Sequence, residues 1–145
     1  MEPIRVKMLR DGAKLPTYGS EEAAGADLYA CLDTETVIEP GKTAFIPTGI
    51  AMEVPKGCAG LIYARSGMAC KRGLAPANKV GVVDSDYRGE VLVALHNHSG
   101  ETQTVSPGER IAQMVITPVL TPVYKPVEDL AETERGSGGF GSTGK

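Results

Sequence analysis

TAFIPTGIAMEVPKGCAGLIYA, residues 43–64, decides the fold. Short apolar runs alternate there with Pro47, Gly49, Pro55 and Gly57. Proline removes a backbone donor and glycine costs a helix its order, so neither continues a helix. The stretch reads as strands: 43–54, interrupted at Pro47 and Gly49, a turn, then 59–64. The same rhythm runs outward. IRVKML (4–9) alternates apolar and polar side chains, and EPGK (39–42) is a turn. KVGVVD (79–84), EVLVALHNH (90–98) and RIAQMVITPV (110–119) are further strands, the last fed by the tight turn SPGER (106–110). A spacing of about ten residues per strand predicts an all-β sandwich or barrel. SGMACKRG (66–73) breaks the rhythm: Ser66 is a possible cap, 67–72 a short helix, Gly73 its stop. From Val127 onward no period survives, so residues 1–127 are expected as the body and 128–145 as a flexible Gly-rich arm.

Composition narrows the class. The 145 residues suffice for one domain with its own core, and 41% are hydrophobic. Aromatics are only 5% and Trp is absent, so the core is expected to be mostly Val, Ile, Leu and Ala. A net charge of −3 argues against a nucleic-acid surface or an acidic membrane partner. No apolar run approaches the ~20 residues of a membrane span, and MEPIRVKML lacks the apolar stretch of a secretory signal. Cys31, Cys58 and Cys70 form no CxxC pair, which disfavours a zinc site or disulfide framework and makes a reducing cytoplasm the simplest setting.

Four stretches can carry chemistry. In ARSGMA, Arg65 and Ser66 stand where the short helix begins; unpaired N–H groups, a forked guanidinium and the bare backbone of Gly67 suit a phosphate, against a capped, solvated surface helix. In GVVDSDYRGE (81–90), Asp84 and Asp86 share a face if the strand continues, and could hold a metal or polarise water; the alternative is an Asp-rich turn. Asp27 in AGADLYA is a weak signal, more often a turn acid than a ligand. His96 and His98 share a strand face but are too few for zinc without a third partner, and read as solvated. RGSGGFGSTG (135–144) is half glycine, yet carries Arg135 and Phe140. A plain linker needs neither; a segment that folds over a ligand uses Arg for phosphate and Phe for a flat ring. Arg65 and Arg135 together point to several phosphates and a planar base.

In order, AGADLYA, RSGMA, GVVDSDYRGE, GERIAQMV and RGSGGFGSTG resemble the five motifs of the trimeric deoxyuridine triphosphatase (dUTPase) family, from residue 24 to 144. The resemblance implies a β jelly roll in a homotrimer, with each active site drawing on more than one subunit and the arm closing over it. It implies cleavage of dUTP between the α- and β-phosphates to dUMP and pyrophosphate, with Mg²⁺ on the triphosphate. That reaction keeps uracil out of DNA and supplies dUMP for thymidylate synthesis.

Residue roles follow from the same resemblance. Asp84 matches the carboxylate that orients and deprotonates the attacking water, a general-base step worth about 10²–10⁴ in rate. Asp27 matches the acid near Mg²⁺, met through water. Arg65, Ser66 and Gly67 look like the phosphate-binding turn, and Gln113 like a phosphate-facing glutamine. Arg135 resembles the arm's γ-phosphate ligand and Phe140 the ring over uracil, with Gly141, Ser142 and Thr143 donating hydrogen bonds. A β-hairpin over about 73–84, including Asn78, Val82 and Val83, reads uracil with backbone groups and excludes thymine's methyl. Tyr87 looks like the ring that excludes a ribose hydroxyl. Ala64 departs from the family's common Pro, and Asp86 is expected as a structural ion-pair partner of Arg88 in a neighbouring subunit. Two rivals remain: a dCTP deaminase of the same fold, and a non-catalytic nucleotide-sensing module.

Overall fold

The computed structural model describes residues 1–144; Lys145, the last residue of the expected arm, lies outside them. The described residues form twelve strands and one helical turn. In chain order these are β1 (Val6–Met8), β2 (Thr17–Tyr18), β3 (Ala26–Tyr29), β4 (Thr36–Ile38), β5 (Thr43–Pro47), β6 (Ile50–Met52) and β7 (Cys58–Tyr63). The helical turn Met68–Arg72 follows, then β8 (Leu74–Pro76), β9 (Gly81–Val83), β10 (Leu92–Asn97), β11 (Gln103–Val105) and β12 (Arg110–Pro118). A five-stranded sheet, β2-β3-β12-β7-β9, accompanies a three-stranded sheet, β5-β10-β8, with the two-stranded ribbons β1-β6 and β4-β11. Every ladder is antiparallel. This is the all-β architecture that the strand spacing predicts, and it fits the jelly roll that the resemblance implies.

Period-two alternation builds the core. Along β10, Val93, Leu95 and Asn97 are buried while Leu92 is exposed. Val93, Leu95, Ile46 and Leu74 of the small sheet share one cluster with Leu28, Ile62, Val83 and Met114 of the large one. The cluster is aliphatic, as expected, with Met52, Met68 and Met114 added; Phe45 is 70% exposed. Each fully buried Leu or Ile contributes roughly 1.5–3 kcal/mol. Three polar residues are buried among the described ones: Asp27, Thr48 and, completely, Asn97 between the two histidines. The Asn97 Nδ2 donates to the Ile38 and Glu101 carbonyls (2.9 and 2.7 Å), and its Oδ1 accepts from the Ser99 backbone N–H and hydroxyl (2.9 and 2.7 Å). With its side-chain amide paired at both ends, Asn97 fixes the end of β10 against β4.

Three local expectations change. The helical turn is of the wide π type, and Ser66 makes no capping bond; the Arg65 carbonyl accepts from the Ala69 N–H at 3.0 Å instead. Gly73 ends the turn at φ 65°, and a Cβ there would stand 2.9 Å from Ser99, so glycine is required twice over. Strands β8 and β9 flank a tight loop but do not pair with each other. β8 pairs with β10 and β9 with β7, so 73–84 bridges two sheets and is no simple hairpin.

The last strand ends at Pro118, and the Val119 N–H to Gly57 carbonyl bond (2.9 Å) is its final tie to the body. Leu120, Val123, Tyr124 and Leu130 beyond it are 85% exposed or more. The chain is therefore already exposed outside the sheets from Leu120 on. No helix among the described residues is long and apolar enough to cross a membrane.

Candidate active site

Two clusters of the expected residues form at opposite ends of β7. The first is built across the large sheet. Thr17, Asp27, Gln113 and Tyr63 stand opposite one another on β2, β3, β12 and β7, so their side chains share a face. Asp27 is buried, and its carboxylate accepts from Arg65 Nε at 2.9 Å and from Arg110 Nη1 at 3.4 Å. Arg65 spends Nε on this bond; its terminal nitrogens make no hydrogen bond among the described residues. Gln113 Nε2 donates to the Ala64 carbonyl at 2.9 Å, joining β12 to the turn that carries Arg65, Ser66 and Gly67. Ser66 and Gly67 are exposed. Two guanidiniums around one carboxylate leave a net positive patch beside an open backbone turn, which suits an oligophosphate.

Sequence reading passed over Arg110. A register shift between Arg110 and Ala112 on β12 aims it at Asp27. Bulges commonly redirect a side chain in this way. The signal in the sequence was GERIAQ itself, with Arg110 three residues before Gln113.

The second cluster surrounds a cavity of about 210 Å³ lined by Asn78, Val82, Val83, Asp84, Tyr87 and Glu90, among others. The strand stops at Val83, so the condition for Asp84 and Asp86 to share a strand face is not met; the Tyr87 N–H closes a turn onto the Asp84 carbonyl at 3.2 Å. Asp84 is exposed, and among the described residues its carboxylate is in no ion pair. The Tyr87 hydroxyl donates to the Glu90 carbonyl at 2.7 Å, laying the ring along the turn, and Gly89 leaves it room: a Cβ there would stand 2.4 Å from the hydroxyl. Glu90 pairs with Arg10 at 2.5 Å. The Arg10 guanidinium is raised above its ordinary pKa: desolvation alone would lower it, but the hydrogen bond and charge of Glu90, and a smaller effect of Cys31, outweigh it. Within the chain Arg88 donates to the Ser85 and Tyr87 carbonyls and not to Asp86.

One chain does not bring the clusters together. Val83 is opposite Gly60, so Asp84 is level with the start of β7, while Arg65 lies beyond its far end. Six residues at ~3.3 Å each put Asp84 and Arg65 on the order of 20 Å apart. The arm joins neither cluster. Its bonds are local: Arg135 Nε donates to the Gly138 carbonyl at 2.7 Å and the Ser142 N–H to Gly139 at 3.0 Å. Phe140, at φ 53°, is fully exposed, and Gly141, Ser142 and Thr143 are exposed.

No group of three His, Cys, Asp or Glu side chains able to hold a metal exists among the described residues. Asp27, engaged by two arginines, suits an ion only at second hand, through water. His96 and His98 have ring centroids 4.5 Å apart, and His96 Nδ1 shares a hydrogen bond of 2.8 Å with the Thr43 hydroxyl.

Comparison with known proteins agrees with these features. The dUTPase family model matches residues 11–144. A relative from Desulfitobacterium hafniense (strain DSM 10664 / DCB-2), called deoxyuridine 5'-triphosphate nucleotidohydrolase, is 53% identical over 149 residues, covering 99% of each chain. Among solved structures, the Staphylococcus bacteriophage 80alpha dUTPase with dUpNHpp superposes with a TM-score of 0.90 at 29% identity, covering 100% of both chains. A mutant dUTPase from phage phi11 of S. aureus, solved to show the coordination of a structural Mg(II) ion, has a TM-score of 0.79 at 27% identity, covering 88% of this chain and 98% of that one. With its motifs in order, its jelly roll in place and near full-length identity to curated members, the chain belongs to the dUTPase family of nucleotide hydrolases.

Proposed function

We propose that this chain hydrolyses dUTP to dUMP and pyrophosphate at a site completed by more than one copy of itself. The observation that carries the reading is the pair of complementary half-sites. One end of β7 offers cationic, phosphate-sized chemistry. The other offers an exposed carboxylate beside a small cavity. About 20 Å separates them, too far for a nucleotide to use both within one chain. In a homotrimer, Asp84 of one copy faces the turn 65–67 of the next.

In that site uracil occupies the cavity by Asn78, Val82 and Val83, where backbone groups of the loop read its edge. Tyr87 packs on the deoxyribose and leaves no room for a 2′-hydroxyl. Arg65, Ser66, Gly67 and Gln113 hold the phosphates, with Arg110 beside them. Asp84 takes a proton from a water aimed at the α-phosphorus; the P–O bond to the bridging oxygen breaks and pyrophosphate leaves. Mg²⁺ arrives with the triphosphate as part of the substrate and neutralises its charge, with Asp27 meeting its waters. Arg135 engages the γ-phosphate and Phe140 covers the uracil as the arm closes, which expels water.

Assembly is supported by the apolar side chains of 120–130, which no part of their own body covers. An apolar groove of about 370 Å³ beside β1, lined by Ile4, Val6, Leu15 and Met52 among others, is a seat of matching character. The three free thiols fit action in the cytoplasm. The test is product analysis with dUTP, dTTP, dCTP and UTP side by side. Pyrophosphate from dUTP alone is expected; ammonia from dCTP would mark a deaminase, and binding without turnover a sensor.

A further inference from the structure

We infer that Arg72 is a positioning residue for the phosphate-facing turn 65–67; the inference rests on the reading of that turn given above. The helical turn Met68–Arg72 has one buried side chain, Met68. Five residues cannot hold a helix by themselves, since nucleation is costly and short helices are marginal in water. Something outside must fix it, and its last residue does.

Arg72 is about two-thirds buried and reaches three acceptors on two other segments. Nη1 donates to the Glu109 carboxylate, Nη2 to the Thr104 carbonyl at 2.5 Å, and Nε makes a long contact of 3.5 Å with Gln103 Oε1. Glu109 is held in its turn. Its other carboxylate oxygen accepts from the Ser106 N–H at 2.9 Å, and its carbonyl accepts from the Ala30 N–H at 2.8 Å. Ala30 directly follows the strand that carries Asp27, and Glu109 directly precedes the strand that carries Arg110 and Gln113. A continuous path therefore runs from the turn 65–67, through the helical segment and Arg72, to the strands on which the other phosphate-facing residues stand. Gln113 ties the front of that turn to β12 through Ala64; Arg72 ties its back. This guanidinium sets the spacing between two groups of phosphate donors together with the Asp27–Arg65 and Gln113–Ala64 bonds. A lysine replaces it only in part, because a single ammonium on a flexible stem does not span three acceptors in fixed directions.

The test compares ligands with and without phosphates. Binding of dUpNHpp and of deoxyuridine is measured by calorimetry for the wild type, Arg72→Ala, Arg72→Lys and Glu109→Gln. Arg72→Ala is expected to weaken dUpNHpp on the order of tenfold, the scale of a modest misplacement of binding groups, and to leave deoxyuridine unchanged. Arg72→Lys recovers part of the loss, and Glu109→Gln shows the same phosphate-selective pattern. Should Arg72→Ala not fold, the other two variants carry the comparison. Amide hydrogen exchange at 66–72 is expected to quicken in each variant while β10 stays protected. Equal weakening of both ligands, no weakening, or unchanged exchange at 66–72 would each overturn the role. Failure of the wild type to release pyrophosphate from dUTP would instead overturn the functional reading, and the exchange measurement would still decide whether Arg72 holds the segment.

Discussion

Asp27 on β3 and Gln113 on β12 are direct cross-strand partners, and each reaches sideways to the same loop: Asp27 to the Arg65 side chain and Gln113 to the Ala64 carbonyl. The two strands thus grip one turn at consecutive residues. Gly25 makes room for this. A Cβ there would stand 2.4 Å from Gln113 Oε1 and 3.1 Å from its Cβ. Gly25→Ala is expected to swing Gln113 away from Ala64 and to cut kcat/KM for dUTP on the order of tenfold. The check is steady-state kinetics beside a thermal melt, where a modest drop is expected because the root of Gln113 on β12 must also shift by a few tenths of an ångström.

Asp84→Asn removes the proposed base and keeps the shape. Turnover of dUTP is expected to fall by about a thousandfold, within the general-base range, with dUpNHpp binding retained. Rapid-quench measurement of pyrophosphate release decides it. Equal rates in variant and wild type would exclude Asp84 from proton transfer.

The separation of the half-sites predicts complementation. Asp84→Asn and Arg65→Gln are each expected to be nearly inactive. Unfolded together and refolded as a mixture, they should regain a substantial part of wild-type activity, because some sites then receive Asp84 from one copy and Arg65 from another. Activity no higher than the sum of the separate variants would place both residues of each site in one chain.

Leu95, fully buried at the centre of β10, tests the core. Leu95→Ala is expected to lower stability by about 2–5 kcal/mol, since no neighbouring aromatic can swing in to fill the space. Chemical denaturation read by far-UV circular dichroism checks it.

His98 sets a pH dependence. Its pKa is held below the ordinary 6.5 by desolvation first, then by the neighbouring His96 and by Lys79. The folded state disfavours the proton that the unfolded state accepts. Stability from this group is therefore complete above 6.5 and is lost as pH falls through the folded value. The melting temperature of the wild type should decline between about pH 7 and pH 5 more steeply than that of His98→Gln. Identical slopes would show that the histidine pair carries no such linkage.

Much of this fold was legible because alternation is local. β5, β7, β10 and β12 announce themselves by apolar residues two apart, bounded by Pro and Gly. β2, β4, β8 and β11 span only two or three residues each and leave no period to read. The helical turn was found from Gly73 and its basic last residues, but not its π pitch, which no local residue pattern announces. The candidate site residues stand in the sequence as an ordered set of motifs. Their division into two groups is not legible there, because it follows from the antiparallel register of β7 and β9, a non-local pairing. Arg110 was hidden for the same reason: only the irregular pairing of β12 with β3 shows where it points.

The interior without a single aromatic ring has a practical side. The chain has no Trp, and its two Phe and five Tyr all lie outside the packed aliphatic cluster. A Trp introduced at Phe140 would be the sole indole in the molecule, free of background emission. Its colour and quenching would then report in real time whether the tail moves when a nucleotide binds.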